Sequence, residues 1–144
     1  MKSIFIFTLM LIMIPFFNIN ILAQQNKPEY DIKAAFVKLN PEIVTLNNPV
    51  SFHYRIENSG KRSVPAKSYN VEFYIDDKLI NYDYVSAKLN AKNGIIEYTT
   101  KDDSRYIPKK LGKHTYRLVI VPKEILKNEN SANNIIEGSF FVIK

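Results

Sequence analysis

Between residues 50 and 57 apolar and polar side chains alternate without a break. Val50, Phe52, Tyr54 and Ile56 share one parity; Ser51, His53, Arg55 and Glu57 share the other. Successive side chains of an extended strand point to opposite faces, so this is a strand with one face buried. The same rhythm recurs along the chain. Residues 30–37 form a first strand, broken by Asn40-Pro41, and 43–46 resume it on the other sheet. Asn47-Asn48-Pro49 is a turn, and Asn58-Ser59-Gly60 is expected to close the 50–57 strand with residues that tolerate positive φ. Residues 69–76 place Val71, Phe73 and Ile75 inward, and Asp76-Asp77-Lys78 turns the chain into 79–85. After the Asn93-Gly94 turn come 95–99, a polar loop over 100–105, a strand over 113–121 behind Gly112, a polar stretch over 123–134 and a last strand over 135–143. Helical periodicity is absent beyond Gln24, apart from one turn expected at 123–128. About seven short strands with this spacing predict an all-β protein, two antiparallel sheets packed face to face. Phe52, Phe73, Ile75, Leu118, Ile120 and Phe140 form its expected core.

The N-terminus follows another pattern. Lys2 is followed by an apolar run over 4–17, then Ile21-Leu22-Ala23 before Gln24-Gln25. A positive start, an apolar centre and a small residue before a polar segment read as a secretory signal over 1–23, cleaved after Ala23. A membrane span wants about 20 apolar residues in a row; Pro15 interrupts this run, and Asn18 and Asn20 dilute it. The expected organisation is a signal peptide (1–23), a flexible leader (24–29) and one domain (30–144), exported to the periplasm, the cell surface or the medium. No membrane span is expected once the signal is removed.

Composition narrows the chemistry. With no cysteine, the domain must hold together by packing rather than disulfides, and thiol nucleophiles and Cys–zinc sites are excluded. The net charge of +6 is spread along the chain, with clusters only at Lys61-Arg62 and at Lys109-Lys110 with Lys113. Such an excess can favour anionic partners such as polysaccharides or lipid head groups; no nucleic-acid motif accompanies it. The two histidines, His53 and His114, fall on opposite faces of their strands, so they do not build a shared metal site. No Gly-x-Ser-x-Gly elbow and no Gly-rich phosphate loop is present. Asp76-Asp77 and Asp102-Asp103 are adjacent acids in turns, which diverge rather than face one another as glycosidase carboxylates do. Asp102-Asp103-Ser104 lacks the spaced oxygens of a calcium loop. The expectation is a protein without catalytic residues, metal or cofactor.

Two runs carry more apolar character than a half-buried strand needs: 118–121 (Leu-Val-Ile-Val) and 140–143 (Phe-Phe-Val-Ile). If both strands lie in one sheet, Arg117, Val119, Val121, Phe141 and Ile143 face outward, and Tyr74 joins them from the neighbouring strand. An apolar patch with an aromatic and an arginine has the composition of an interface core, although β-branched residues favour strands even when exposed. The patch marked by Tyr74, Arg117, Val119 and Phe141 is therefore a candidate docking face for a protein partner or a second copy. Tyr69, Tyr74, Tyr82 and Tyr84 cluster in one hairpin; tyrosines supply rigid, amphipathic contact area. Tyr82 and Tyr84 are candidates for a carbohydrate-binding face, with cell-surface polysaccharide as the alternative ligand.

The order of these features resembles the CARDB domain, the "cell adhesion related domain found in bacteria". The resemblance rests on the Glu57-Asn58-Ser59-Gly60 strand end, the acidic hairpin at Asp76-Asp77, Gly112 with its long strand, and Asn128-Glu129-Asn130-Ser131-Ala132-Asn133-Asn134 before the last strand. It implies an immunoglobulin-like sandwich and a non-catalytic interaction or adhesion role. Where many relatives carry an acid directly after the Gly-led strand, this chain has Val121-Pro122. The Cys…Trp…Cys pattern of antibody domains is missing.

Overall fold

The alternating segment is strand β3 (Ser51–Asn58), and its inward residues Phe52, Tyr54 and Ile56 are fully buried. Around it lie β1 (Ile32–Asn40), β2 (Val44–Thr45), β4 (Tyr69–Ile75), β5 (Lys78–Asp83), β6 (Gly94–Thr99), β7 (Gly112–Pro122) and β8 (Ile135–Ile143). The computed structural model describes residues 28–83, 87–100, 105–127 and 130–144, and the side chains of Tyr82 and Asp83 are not among what it describes. The expected signal and most of the leader, Tyr84 and the Asp102-Asp103-Ser104 loop therefore lie outside the described residues.

The strands form a three-stranded sheet, β1-β3-β6, and a five-stranded sheet, β2-β8-β7-β4-β5. They pack face to face as an immunoglobulin-like sandwich. The first strand is divided between the sheets. β1 pairs antiparallel with β3, the chain turns at the cis Asn40-Pro41 bond, and β2 pairs with β8. That last pairing is parallel, so the sandwich is not antiparallel throughout. A polar stretch expected to hold one helical turn holds two short 3-10 turns, Glu124–Leu126 and Ser131–Asn133.

Every predicted core residue is inside: Phe52, Phe73, Ile75, Leu118, Ile120 and Phe140 are all buried. Phe52 of one sheet meets Phe73 of the other with ring centroids 4.3 Å apart. Loops complete the core. Val64 and Leu89 are buried and bridge to one another, and Leu126 is buried from the 3-10 turn.

The Asn58-Ser59-Gly60 corner works differently from its expectation, because none of its residues has positive φ. Gly60 is required by space: a Cβ there would sit 2.7 Å from the Glu29 carbonyl oxygen. Asn58 is fully buried. Its Oδ1 accepts from the Gly60 amide, and its Nδ2 donates to the carbonyls of Arg62 and Asn90. At the β4–β5 hairpin, Asp76 and Asp77 both have positive φ, the signature of a two-residue type I′ turn.

Candidate interaction surface

Pleating sets which side chains share the outer face of the five-stranded sheet. The register places Tyr74 of β4 opposite Arg117 of β7, and Arg117 opposite Glu137 of β8. The Arg117 guanidinium lies over the Tyr74 ring, 4.6 Å from its centroid. The Tyr74 hydroxyl donates to Glu72 Oε2 at 2.6 Å. That bond, with partial desolvation and the Glu72 charge, holds the phenol above its usual range against the opposing pull of Arg117. Arg117 Nη2 comes within 3.8 Å of Asp77, while its Nε is buried without a hydrogen-bond partner.

Beside this pair, between the Asp76-Asp77 turn and the outer rows of β7 and β8, is a depression of about 470 Å³. Tyr74, Arg117, Thr115, Glu137 and Ser139 line it, together with Gly138. Gly138 faces inward, where the Tyr116 ring folds across it: a Cβ at 138 would fall 2.3 Å from the Tyr116 hydroxyl. Tyr116 in turn stacks on Phe73 at an interplanar angle of 11°.

The structure brings Tyr74 and Arg117 into contact and places Val119 one outward position further along β7, opposite Glu72 and Ile135. Phe141 is elsewhere. It stands opposite Lys113, two outward positions from Glu137, with Ser139 between. The expected continuous apolar patch is thus divided. The outward residues of β8 are Ile135, Glu137, Ser139, Phe141 and Ile143, so its apolar run supplies the outer face only near the strand's end. Tyr69 also departs from the surface cluster of tyrosines. It is fully buried, because it shares the parity of Val71 and Phe73, and burial pushes its phenol far above the usual range. Tyr82 is opposite Glu72 on β5.

His114 and Asp76 form a pair that alternation cannot reveal, because they are far apart in sequence. His114 Nδ1 is 2.6 Å from Asp76 Oδ2, and Nε2 is 3.0 Å from the Lys110 carbonyl oxygen. Asp76 Oδ1 also accepts from the Thr115 amide. Partial burial raises the Asp76 pKa, but the Thr115 amide and His114 outweigh it and hold the carboxyl below its usual range. The dyad is turned inward. Asp76 borders the depression, whereas the buried imidazole has both nitrogens engaged and does not line it. This arrangement locks the hairpin turn to β7 and leaves no ring nitrogen for proton transfer to a bound molecule.

His53 faces the opposite way, on the outer surface of the three-stranded sheet. Its Nδ1 is 2.9 Å from Thr99 Oγ1 and its ring packs 5.4 Å from that of Phe36. A register shift in β1 between Ala34 and Phe36 re-aims Phe36 toward Arg55, whose guanidinium sits 4.8 Å from the ring centroid. Among the described residues, no three His, Asp or Glu side chains gather closely enough to hold a metal ion.

The CARDB family model matches residues 30–138. Three solved structures share the fold. A CARDB domain from Pyrococcus furiosus, crystallised in complex with di-metal ions, is 19% identical with a TM-score of 0.62, covering 82% of this chain and 96% of its own. The solution structure of that archaeal domain gives a TM-score of 0.55 at 19% identity, covering 82% and 97%. A domain assigned to a cell surface protein of Methanosarcina acetivorans gives 0.56 at 17% identity, covering 80% and 93%. None of the curated proteins matches this chain.

Proposed function

This chain belongs to the CARDB family, a family associated with adhesion-related functions in bacteria, and on that premise we propose that it is a non-catalytic, extracytoplasmic module that binds a protein partner. Its docking face is the outer surface of the five-stranded sheet at Tyr74 and Arg117. One observation carries this reading: a guanidinium placed over a tyrosine ring beside an open depression. Arginine and tyrosine dominate binding hot spots because they offer large, rigid contact area and directional donors. Val119 extends the contact on one side, and Asp77 and Glu137 supply acceptors on the rim.

The carbohydrate alternative has less support. Arg117 already covers one face of Tyr74, so a sugar would have to stack on Tyr82 and Tyr84.

Affinity capture from native envelope extract tests the reading. The wild-type protein should retain a polypeptide that both Tyr74→Ala and Arg117→Ala release, with unchanged thermal transitions. Identical captured proteins from all three would remove the assignment. Glycan-array binding lost on Tyr82→Ala and Tyr84→Ala would replace it with the carbohydrate reading.

A further inference from the structure

The register gathers a second surface at the far end of the same face. β2 runs parallel to β8 with Val44 opposite Val142 and Thr45 opposite Ile143, and Ile43 and Phe141 each stand one residue before that pairing. Gly112 is opposite Val142, and Leu111 immediately precedes Gly112 at the same end of the sheet. Ile43 is 70% exposed, Phe141 64%, Ile143 51% and Leu111 48%. Large apolar side chains that share one exposed patch mark an interaction site. Residues from three separate segments build it, so it does not depend on the β-propensity of a single strand.

The rim is basic, and the basic residues are lysines. Lys113 is directly across from Phe141, Lys110 precedes Leu111, and Lys144 follows Ile143. None of the three makes an ion pair among the described residues. Glu42 is next to Ile43 in the chain, Glu137 is two outward positions from Phe141, and Asp76 and Asp77 line the depression that Lys113 also borders.

We propose that this surface seats on an anionic lipid membrane, with Ile43, Phe141 and Ile143 entering the boundary between head groups and acyl chains and the lysines meeting lipid phosphates. The chemistry selects this occupant. A protein-interface core is enriched in arginine and depleted in lysine, whereas lysine is well suited to a lipid boundary, where its stem lies on apolar surface and its ammonium reaches the head groups. A second copy would bring one lysine rim against another, with like charges opposed. Apolar insertion and electrostatic attraction to anionic lipid reinforce one another at such a surface.

Vesicle co-sedimentation of residues 28–144 tests the proposal. The apolar 1–23 segment is left out because it would bind lipid itself. The described core lies within residues 30–142, and the Pyrococcus furiosus CARDB domain, whose two structures each cover 82% of this chain, was solved as an isolated domain. Phosphatidylcholine vesicles containing phosphatidylglycerol should bind at least about tenfold more tightly than phosphatidylcholine alone. Ile43→Ser and Phe141→Ser should each weaken that binding on the order of tenfold, the loss expected for one withdrawn apolar side chain. Lys110→Glu with Lys113→Glu should bring it down to the neutral-vesicle level. The chain has no tryptophan, so Phe141→Trp supplies a single reporter whose emission should shift to the blue on anionic vesicles.

Absence of sedimentation would overturn the proposal, as would an unmoved tryptophan emission or binding insensitive to both serine substitutions. Capture of polyglutamate without vesicle binding would assign the surface to an acidic polypeptide instead. A dimer dispersed by Phe141→Ser would assign it to a second copy.

Discussion

Phe73 and Tyr69 are four positions apart on β4, point the same way and are both buried, yet they should respond oppositely to truncation. Phe73 touches aromatic rings of both sheets, so Phe73→Ala should cost roughly 3–5 kcal/mol, read from denaturant unfolding. Tyr69 buries a hydroxyl that has no hydrogen-bond partner. Its desolvation is uncompensated, so Tyr69→Phe should leave stability unchanged or raise it by about 1 kcal/mol. Asp76 adds a pH dependence. Its folded pKa is depressed by Thr115 and His114 despite partial burial, so the stability it contributes is fully present above the unfolded carboxylate value and is lost as pH falls through the folded one. Asp76→Asn should lower the melting temperature near neutrality and flatten its fall below about pH 4, measured by thermal melts across that window.

At the scale of the element, β8 depends on what β7 lays across it. Gly138 leaves the space in which the Tyr116 ring lies, and that ring stacks on Phe73. Gly138→Val should therefore displace Tyr116 and cost about 1–3 kcal/mol. Combined with Tyr116→Ala, which vacates the space, the added cost should be less than the sum of the two single changes, a coupling that a double-mutant cycle reads directly. β1 shows how one irregularity redirects a surface. The register shift near Ala34 turns Phe36 outward, where Arg55 and His53 pack on it. Alternation counts residues, and a bulge inserts one, so no parity rule read from the chain could find it.

Over the whole molecule, the two sheets share one core while the outer face of the larger sheet carries two regions that meet at Lys113, which lines the depression and stands opposite Phe141. Tyr74 and Arg117 border the depression, and Phe141 belongs to the lysine-rimmed end. A change at Tyr74 should leave the Phe141 end intact, and the reverse. Val119→Lys should preserve the fold, because Val119 is on the outer face and a lysine stem can lie along the sheet; an unchanged thermal transition would verify this, and an unfolded protein would place Val119 in the core. Static light scattering of residues 28–144 should give the monomer mass at high concentration, since the lysines surrounding the apolar end repel a second copy.

Local pattern sufficed for the strands, their inward faces and the division of the first strand at Asn40-Pro41, because a period of two and turn chemistry act within a few residues. It also sufficed for the resemblance that the family match bears out over 30–138. Of the candidate surface, it yielded the outward parity of Tyr74, Arg117, Val119 and Phe141. Which of those residues meet depends on register between strands, and register is a property of pairs. Only the tertiary structure could set Tyr74 against Arg117, separate both from Phe141, join Asp76 to His114 across 38 positions and carry β2 over to the end of β8 through a parallel pairing. Those neighbours are fixed by hydrogen bonds and packing between distant segments, which no window along the chain contains.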